Sequence, residues 1–147
     1  MIASANRGKH AEAQIKKKLV SLEAGDFCHY RLPDAHAGSR AATLSDFLVC
    51  RKGKLTLLEV KQVNHTHLLP HKNLGLEQIA NQKMWKAAGS QAHILVYHTP
   101  TKLWRAADIS WYFLNYTKTN EAGKAVGSWD LRELEYVTLD DYFKGFL

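Results

Sequence analysis

The sequence is poor in residues that staple, kink or anchor a chain. It holds two cysteines, Cys28 and Cys50, among 147 residues. Two thiols are too few for a disulfide scaffold and fit no zinc spacing, so free, buried thiols are expected. Three prolines leave no proline-rich linker, and no repeat or low-complexity tract interrupts the chain. No apolar run approaches the roughly 18–20 residues of a membrane span. The opening MIASANRGKH lacks the apolar stretch of a secretory signal. Neither a G-x-G-x-x-G fingerprint nor a P-loop occurs, which removes support for a dinucleotide or nucleoside-triphosphate fold. A single domain over residues 1–147 and an intracellular location are expected.

What is present is ordinary globular material, 46% hydrophobic and 23% charged, which excludes wholesale disorder. Acidic residues are the scarcer sign, 14 against 20 Lys and Arg, for a net charge of +6. The imbalance is local. Residues 1–119 carry 17 basic and 8 acidic side chains, whereas residues 120–147 carry 3 and 6. A basic body attracts polyanions, nucleic acid first; a solvated surface that happens to be basic is the plainer alternative.

Periodicity predicts a first helix from about Gly8 to Ala24, with Ala11, Ile15, Leu19 and Leu22 as its buried stripe. Gly25 stops it. Asp26–Arg31 reads as a short strand and residues 32–44 as a loop. SDFLVCR (45–51) and KLTLLEVKQ (54–62) read as central strands joined at Lys52–Gly53. A second helix is expected over 75–88, with Leu76, Ile79, Ala80, Met84 and Ala87 inward. Residues 92–98 form a buried strand, and 103–106 suit a further one. Residues 109–116 fit either a strand or a helix, and Thr138 with Asp141 marks the start of a short terminal helix. This order implies an α/β (α+β) domain with a mixed central sheet flanked by helices.

The hairpin carries the chemistry. A two-residue loop at Lys52–Gly53 pairs Arg51 with Lys54, Cys50 with Leu55, Leu48 with Leu57, and Asp46 with Glu59. Opposed residues share one sheet face about 4.5–5.5 Å apart, and Lys61 shares the face of Glu59. Two carboxylates and a lysine thus gather at one end of an apolar hairpin. Opposed carboxylates repel unless compensated, and Mg²⁺ takes one or two carboxylates while keeping sites for water and phosphate oxygens. An Asp–Lys–Glu ion-pair network at the sheet end is the plainer alternative. Glu12 falls on the flank of the first helix's stripe, where it either needs a partner or is an ordinary glutamate near a helix N-terminus.

These residues resemble the PD-(D/E)xK nuclease superfamily, with Asp46 as its first acid and Glu59-Val60-Lys61 as its ExK. Within it they are most similar to Holliday-junction resolvases of the RecU-type branch. Arg7-Gly8 and Glu12 match the opening signature, Gly38-Ser39-Arg40 a basic, serine-containing loop, and Gln78 a glutamine on the helix after ExK. The likeness covers residues 6–98, and the proline of the family name is replaced by Ser45. Residues 99–147 have no counterpart and read as an extension that completes the fold or an interface.

The resemblance implies a restriction-endonuclease-like core and Mg²⁺- or Mn²⁺-dependent hydrolysis of DNA phosphodiesters, on branched DNA, by a homodimer. Asp46, Glu59 and the Val60 carbonyl would hold the cation. Lys61 would position the nucleophile, Glu12 would act through water or a second cation, and Gln78 would orient Lys61 or water. Arg7, Lys9, Arg31, Ser39 and Arg40 would contact DNA. The implied location is the cytoplasm, at the nucleoid, with a phage origin left open. A nicking or restriction-type enzyme on duplex DNA is the enzymatic alternative, and a non-catalytic DNA-binding module the other.

His65, His67 and His71 cluster without an acidic or cysteine companion, so a solvated or DNA-contacting loop is expected before a zinc site. Trp85 is expected in packing rather than base stacking. Trp104, Trp111, Tyr112 and Phe113 are expected to close the core, a dimer interface being the sharper option.

Overall fold

The computed structural model describes residues 4–34, 44–118, 121–124 and 126–146, with side chains from Gly8 onward. Helix α1 (Ser4–Leu22) buries Ala11, Ile15 and Leu19 completely, the stripe its periodicity requires. Burying each of the larger two contributes about 1.5–3 kcal/mol. Strand β1 (Phe27–Arg31) then pairs antiparallel with β2 (Phe47–Arg51).

β2 turns into β3 (Lys54–Val63) through Lys52 and Gly53, whose φ angles are +48° and +80°. Two successive positive φ values give the type I′ turn whose twist suits a hairpin. Arg51 faces Lys54, Cys50 faces Leu55 and Leu48 faces Leu57, as expected. The ladder ends at Phe47 opposite Leu58. β3 has ten residues and β2 five, so β3 runs on past the start of β2 from Glu59 to Val63.

Short β4 (Leu68–Pro70) and a 3₁₀ turn lead into α2 (Leu76–Ala87). This helix is the crossover to β5 (Gln91–His98), which lies parallel to β3. β6 (Leu103–Asp108) follows antiparallel. Residues 109–116, ambiguous in sequence, open as a helix, α3 (Ile109–Leu114), because the Asp108 side chain caps it by accepting from the Ser110 N–H at 2.8 Å. β7 (Ser128–Asp130) pairs with β4. β8 (Tyr136–Val137) pairs with β6, and α4 (Leu139–Lys144) is capped by Thr138.

The main sheet is mixed, in the order β1-β2-β3-β5-β6-β8, with a layer of helix on each face. Ala11, Ile15 and Leu19 of α1 and Phe143 of α4 pack with Phe47, Val49, Leu58, Val60 and Leu95. The opposite face packs Leu57, Ile94 and Val96 with Ile79 of α2, Ile109 and Tyr112 of α3, and Trp129. Residues beyond 98 therefore finish the sheet and cover its second face. No helix among the described residues is long and apolar enough to cross a membrane.

Three expectations are corrected. Of the α2 residues expected inward, Ile79 is buried, but Leu76 is 55% and Met84 68% exposed and Ala80 and Ala87 are also exposed. The helix's buried side holds Ile79 and Gln82, because hydrophobic spacing finds an amphipathic stripe but cannot see a carbonyl that needs a buried donor. Cys28 is exposed and Cys50 half-buried, because they lie near the edge of the sheet on strands that α2 does not cover. Trp85 and Phe113 are also substantially exposed, whereas Trp104 and Tyr112 do close the core.

Candidate active site

Asp46 occupies a bend immediately before β2, one residue outside the ladder. Its main chain is held on both sides, the N–H donating to the Leu58 carbonyl at 3.0 Å and the carbonyl accepting from the Leu32 N–H at 2.9 Å. Its Oδ2 accepts a 2.7 Å hydrogen bond from the Val60 N–H. That bond uses the edge of β3 which β2 no longer covers. A residue's N–H and C=O lie on the same edge of an extended strand, so the Val60 carbonyl faces the same side.

Glu59 is almost fully buried. Lys61 Nζ approaches its Oε2 at 3.0 Å, while Oε1 is buried with no hydrogen-bond partner among the described residues. The Asp46 pKa is raised to about 7, first by burial and then by the Glu59 charge, against the opposing pull of the Val60 N–H, Lys61 and Arg31. Glu12 reaches the same place from α1. Its carboxyl is also raised, by burial and by the charge of Asp46, with Arg31 opposing.

Arg31, at the end of β1, ties the acids together. Its guanidinium lies 3.1 Å from Glu12, 3.0 Å from Asp34 and 3.8 Å from Asp46. It also donates to the Leu32 and Asp46 carbonyls. The sequence reading had this side chain facing DNA phosphate; in this structure its charge is committed to three carboxylates. A cleft of about 550 Å³ opens beside the group, and Glu12, Asp46, Val60, Lys61, Asn64 and His65 are among the residues that line it.

The remaining expected residues lie elsewhere. Lys9 is exposed on α1. The side chain of Arg7, and Ser39 and Arg40 entirely, fall outside the described residues. Gln78 points its Nε2 at the Leu44 carbonyl, 3.4 Å away, rather than at Lys61. Of the three loop histidines only His65 borders the cleft. His67 Nδ1 is 3.0 Å from Arg105, and His71 stacks on Tyr116. Sequence reasoning missed Asp34 and Gln82; the latter repeats Gln78 one turn later, a spacing that puts both amides on one side of α2.

No protein-family model matches this sequence, and no curated protein matches it. Among solved structures it is similar to Hjc, a Holliday junction resolvase from the archaeal hyperthermophile Archaeoglobus fulgidus. The TM-score is 0.55 at 17% identity, over 84% of this chain and 88% of that one. The chain has a restriction-endonuclease-like fold. The neighbour is an archaeal Hjc and not a RecU-type protein, so the likeness reaches the fold and stops short of that branch.

Within this restriction-endonuclease-like frame, a cation's fit is judged from the donors themselves. No three His, Cys, Asp or Glu side chains among the described residues gather as a metal-binding group. Two carboxylates and a backbone carbonyl are a different donor set, and they suit Mg²⁺, which keeps several of its waters. Glu59 Oε1, without a partner among the described residues, is a buried acceptor that a cation would satisfy.

Proposed function

We propose that the protein is a divalent-metal-dependent DNA endonuclease of the PD-(D/E)xK type, acting on branched DNA in the manner of a junction resolvase. The observation that carries this reading is the buried Glu59 carboxylate, one oxygen of which has no partner among the described residues, next to Asp46 and Lys61, which line an open cleft. A structural ion-pair network would satisfy both oxygens; this one leaves an acceptor unused.

Asp46, Glu59 and the Val60 carbonyl would hold Mg²⁺ or Mn²⁺. When bound, such an ion polarises a phosphoryl oxygen and lowers the pKa of a coordinated water. Lys61, ion-paired with Glu59 and partly open to the cleft, orients the attacking water and stabilises the charge that develops on the phosphate. Glu12 holds a further water at the cleft wall. Arg31 balances the acids before substrate arrives, and Arg7, Lys9, Ser39 and Arg40 are the candidates for contact with the DNA backbone.

A homodimer agrees with the outward apolar stripe of α2, where Leu76 and Met84 lie exposed. The role is that of one domain spanning residues 1–147, acting inside the cell where DNA is exposed, whether in a host or encoded by a phage. The deciding experiment offers four-way junction, flap, nicked and linear duplex DNA with and without Mg²⁺. Selective, Mg²⁺-dependent cutting of the junction supports the proposal. Equal cutting of linear duplex replaces it with a nicking or restriction-type enzyme. Binding without cutting under any divalent ion replaces it with a DNA-binding module.

A further inference from the structure

We propose that Gln82 is a positioning residue that fixes Asp46 through the main chain, an assignment that rests on the nuclease reading of the site. Gln82 is fully buried on the inner side of α2, next to Ile79. A helix packed on a sheet normally places an aliphatic side chain there, and a buried amide is unfavourable unless it is hydrogen-bonded. Its Nε2 donates to the Leu44 carbonyl at 2.9 Å. Gln78, one turn earlier and only partly buried, approaches the same carbonyl at 3.4 Å.

Leu44 stands two residues before Asp46, in the stretch that enters β2. Backbone bonds to Leu58 and Leu32 hold the main chain of Asp46 itself, whereas Leu44 lies upstream of them and outside the sheet ladder. Ser45 is buried, and among the described residues its Oγ donates to the Phe47 carbonyl at 3.0 Å, two residues on. The carbonyl held from α2 therefore anchors the upstream side of the bend whose downstream side carries Asp46. Gln82 does not border the cleft, and its Oε1 is buried without a partner among the described residues. Its contribution is to aim Asp46 at the Val60 N–H and at Glu59 without touching either. Gln78, which the sequence places in the catalytic set, supports the same carbonyl from outside.

The test follows amide hydrogen exchange in the metal-free full chain, with Mn²⁺ affinity measured separately. In Gln82→Met the Val60 N–H, which donates to Asp46, exchanges at least tenfold faster than in wild type. The β5 amides of Ile94 and Leu95 keep their protection. Mn²⁺ affinity falls by tenfold or more. Should Gln82→Met fail to fold, Gln82→Glu serves: at pH 5 its buried, protonated carboxyl can still donate to Leu44, so Val60 protection is retained there and lost as the group ionises. Unchanged Val60 protection in Gln82→Met, or in Gln82→Glu after ionisation, overturns the assignment. Wild-type protein that binds no Mn²⁺ overturns the nuclease reading instead, and the exchange result still decides whether Gln82 positions Asp46.

Discussion

Asp46 accepts a 2.7 Å hydrogen bond from the Val60 N–H, so the first acid of the site is fastened to the middle residue of the Glu-Val-Lys triplet. The bond holds the carboxylate where Glu59 also reaches, in a place that disfavours its charge. Its pKa is raised from 3.8 to about 7, first by burial and then by Glu59. Between those values the unfolded chain gives up its proton before the folded one does. Stability of the metal-free protein therefore falls as pH rises from about 4 to 7, and the full cost is present above 7. Asp46→Asn keeps an acceptor for Val60 but carries no charge. At pH 8 without metal it should be more stable than wild type by at least about 1 kcal/mol, while losing cleavage. A variant that melts lower than wild type at pH 8 would contradict this account of the site.

Arg31 is the counter-charge of the metal-free state. It touches Glu12 and Asp34 at hydrogen-bond distance and lies 3.8 Å from Asp46. Arg31→Gln leaves these acids facing one another, and hydrogen bonds to charged groups typically contribute about 1.5–3 kcal/mol each when lost. Because Arg31 is 30% exposed, solvent screens part of that, and a loss of about 1–2 kcal/mol is expected at pH 8 in urea denaturation. Added Mg²⁺ should restore a larger share of stability to the variant than to wild type, since the ion takes over the neutralising role. Equal responses to Mg²⁺ in the two proteins would separate Arg31 from the metal site.

The hairpin was legible because two local rules agree. Lys52–Gly53 sets the turn, and a two-residue turn fixes which residues oppose one another, down to Leu48 and Leu57. From there, alternation places Lys61 beside Glu59, which the structure bears out at 3.0 Å. What escaped depends on contacts far apart in sequence. Arg31 looked like a free basic residue because Glu12 is 19 positions away and Asp46 is 15. Gln82 was invisible because its partner, Leu44, lies 38 residues upstream. Most of the α2 face went astray for the same reason: Ile79 is buried as expected, but periodicity reports only that Leu76, Ala80 and Met84 share a side, and tertiary contacts say which way that side points.

Cys28 and Cys50 are directly opposed across β1 and β2, and Cys28 is exposed. Opposed strand residues of the hydrogen-bonded kind have Cα atoms about 5.5 Å apart, inside the range a disulfide spans. The Lys52 N–H to Asp26 carbonyl bond puts this pair in that register. A low-molecular-weight disulfide such as oxidised glutathione, itself reduced to the thiol, should therefore convert the two thiols to an intramolecular bridge. Mass loss of two hydrogens in the intact protein, absent from Cys28→Ser, checks it. Rapid modification of Cys28 by a thiol reagent with no bridge formed under the oxidant would show that the two side chains do not meet.

His93 supplies a pH dependence opposite in sign to that of Asp46. It is half-buried on β5 and its Nδ1 is hydrogen-bonded to the Tyr142 hydroxyl of α4. Burial lowers its pKa below the ordinary 6.5, with the nearby Lys86 charge acting in the same direction and Asp108 against it. The folded state thus favours the neutral ring. Its contribution is fully present above pH 6.5 and is lost as pH falls through the depressed folded value, where the unfolded chain takes up a proton first. α4 is docked partly through this contact, and its undocking would expose Phe143. His93→Gln should flatten the decline in stability between pH 6.5 and 5, measured by urea midpoints at closely spaced pH values. An acid limb as steep in the variant as in wild type would move its origin to another group, with His98, also lowered by burial, the next to be replaced.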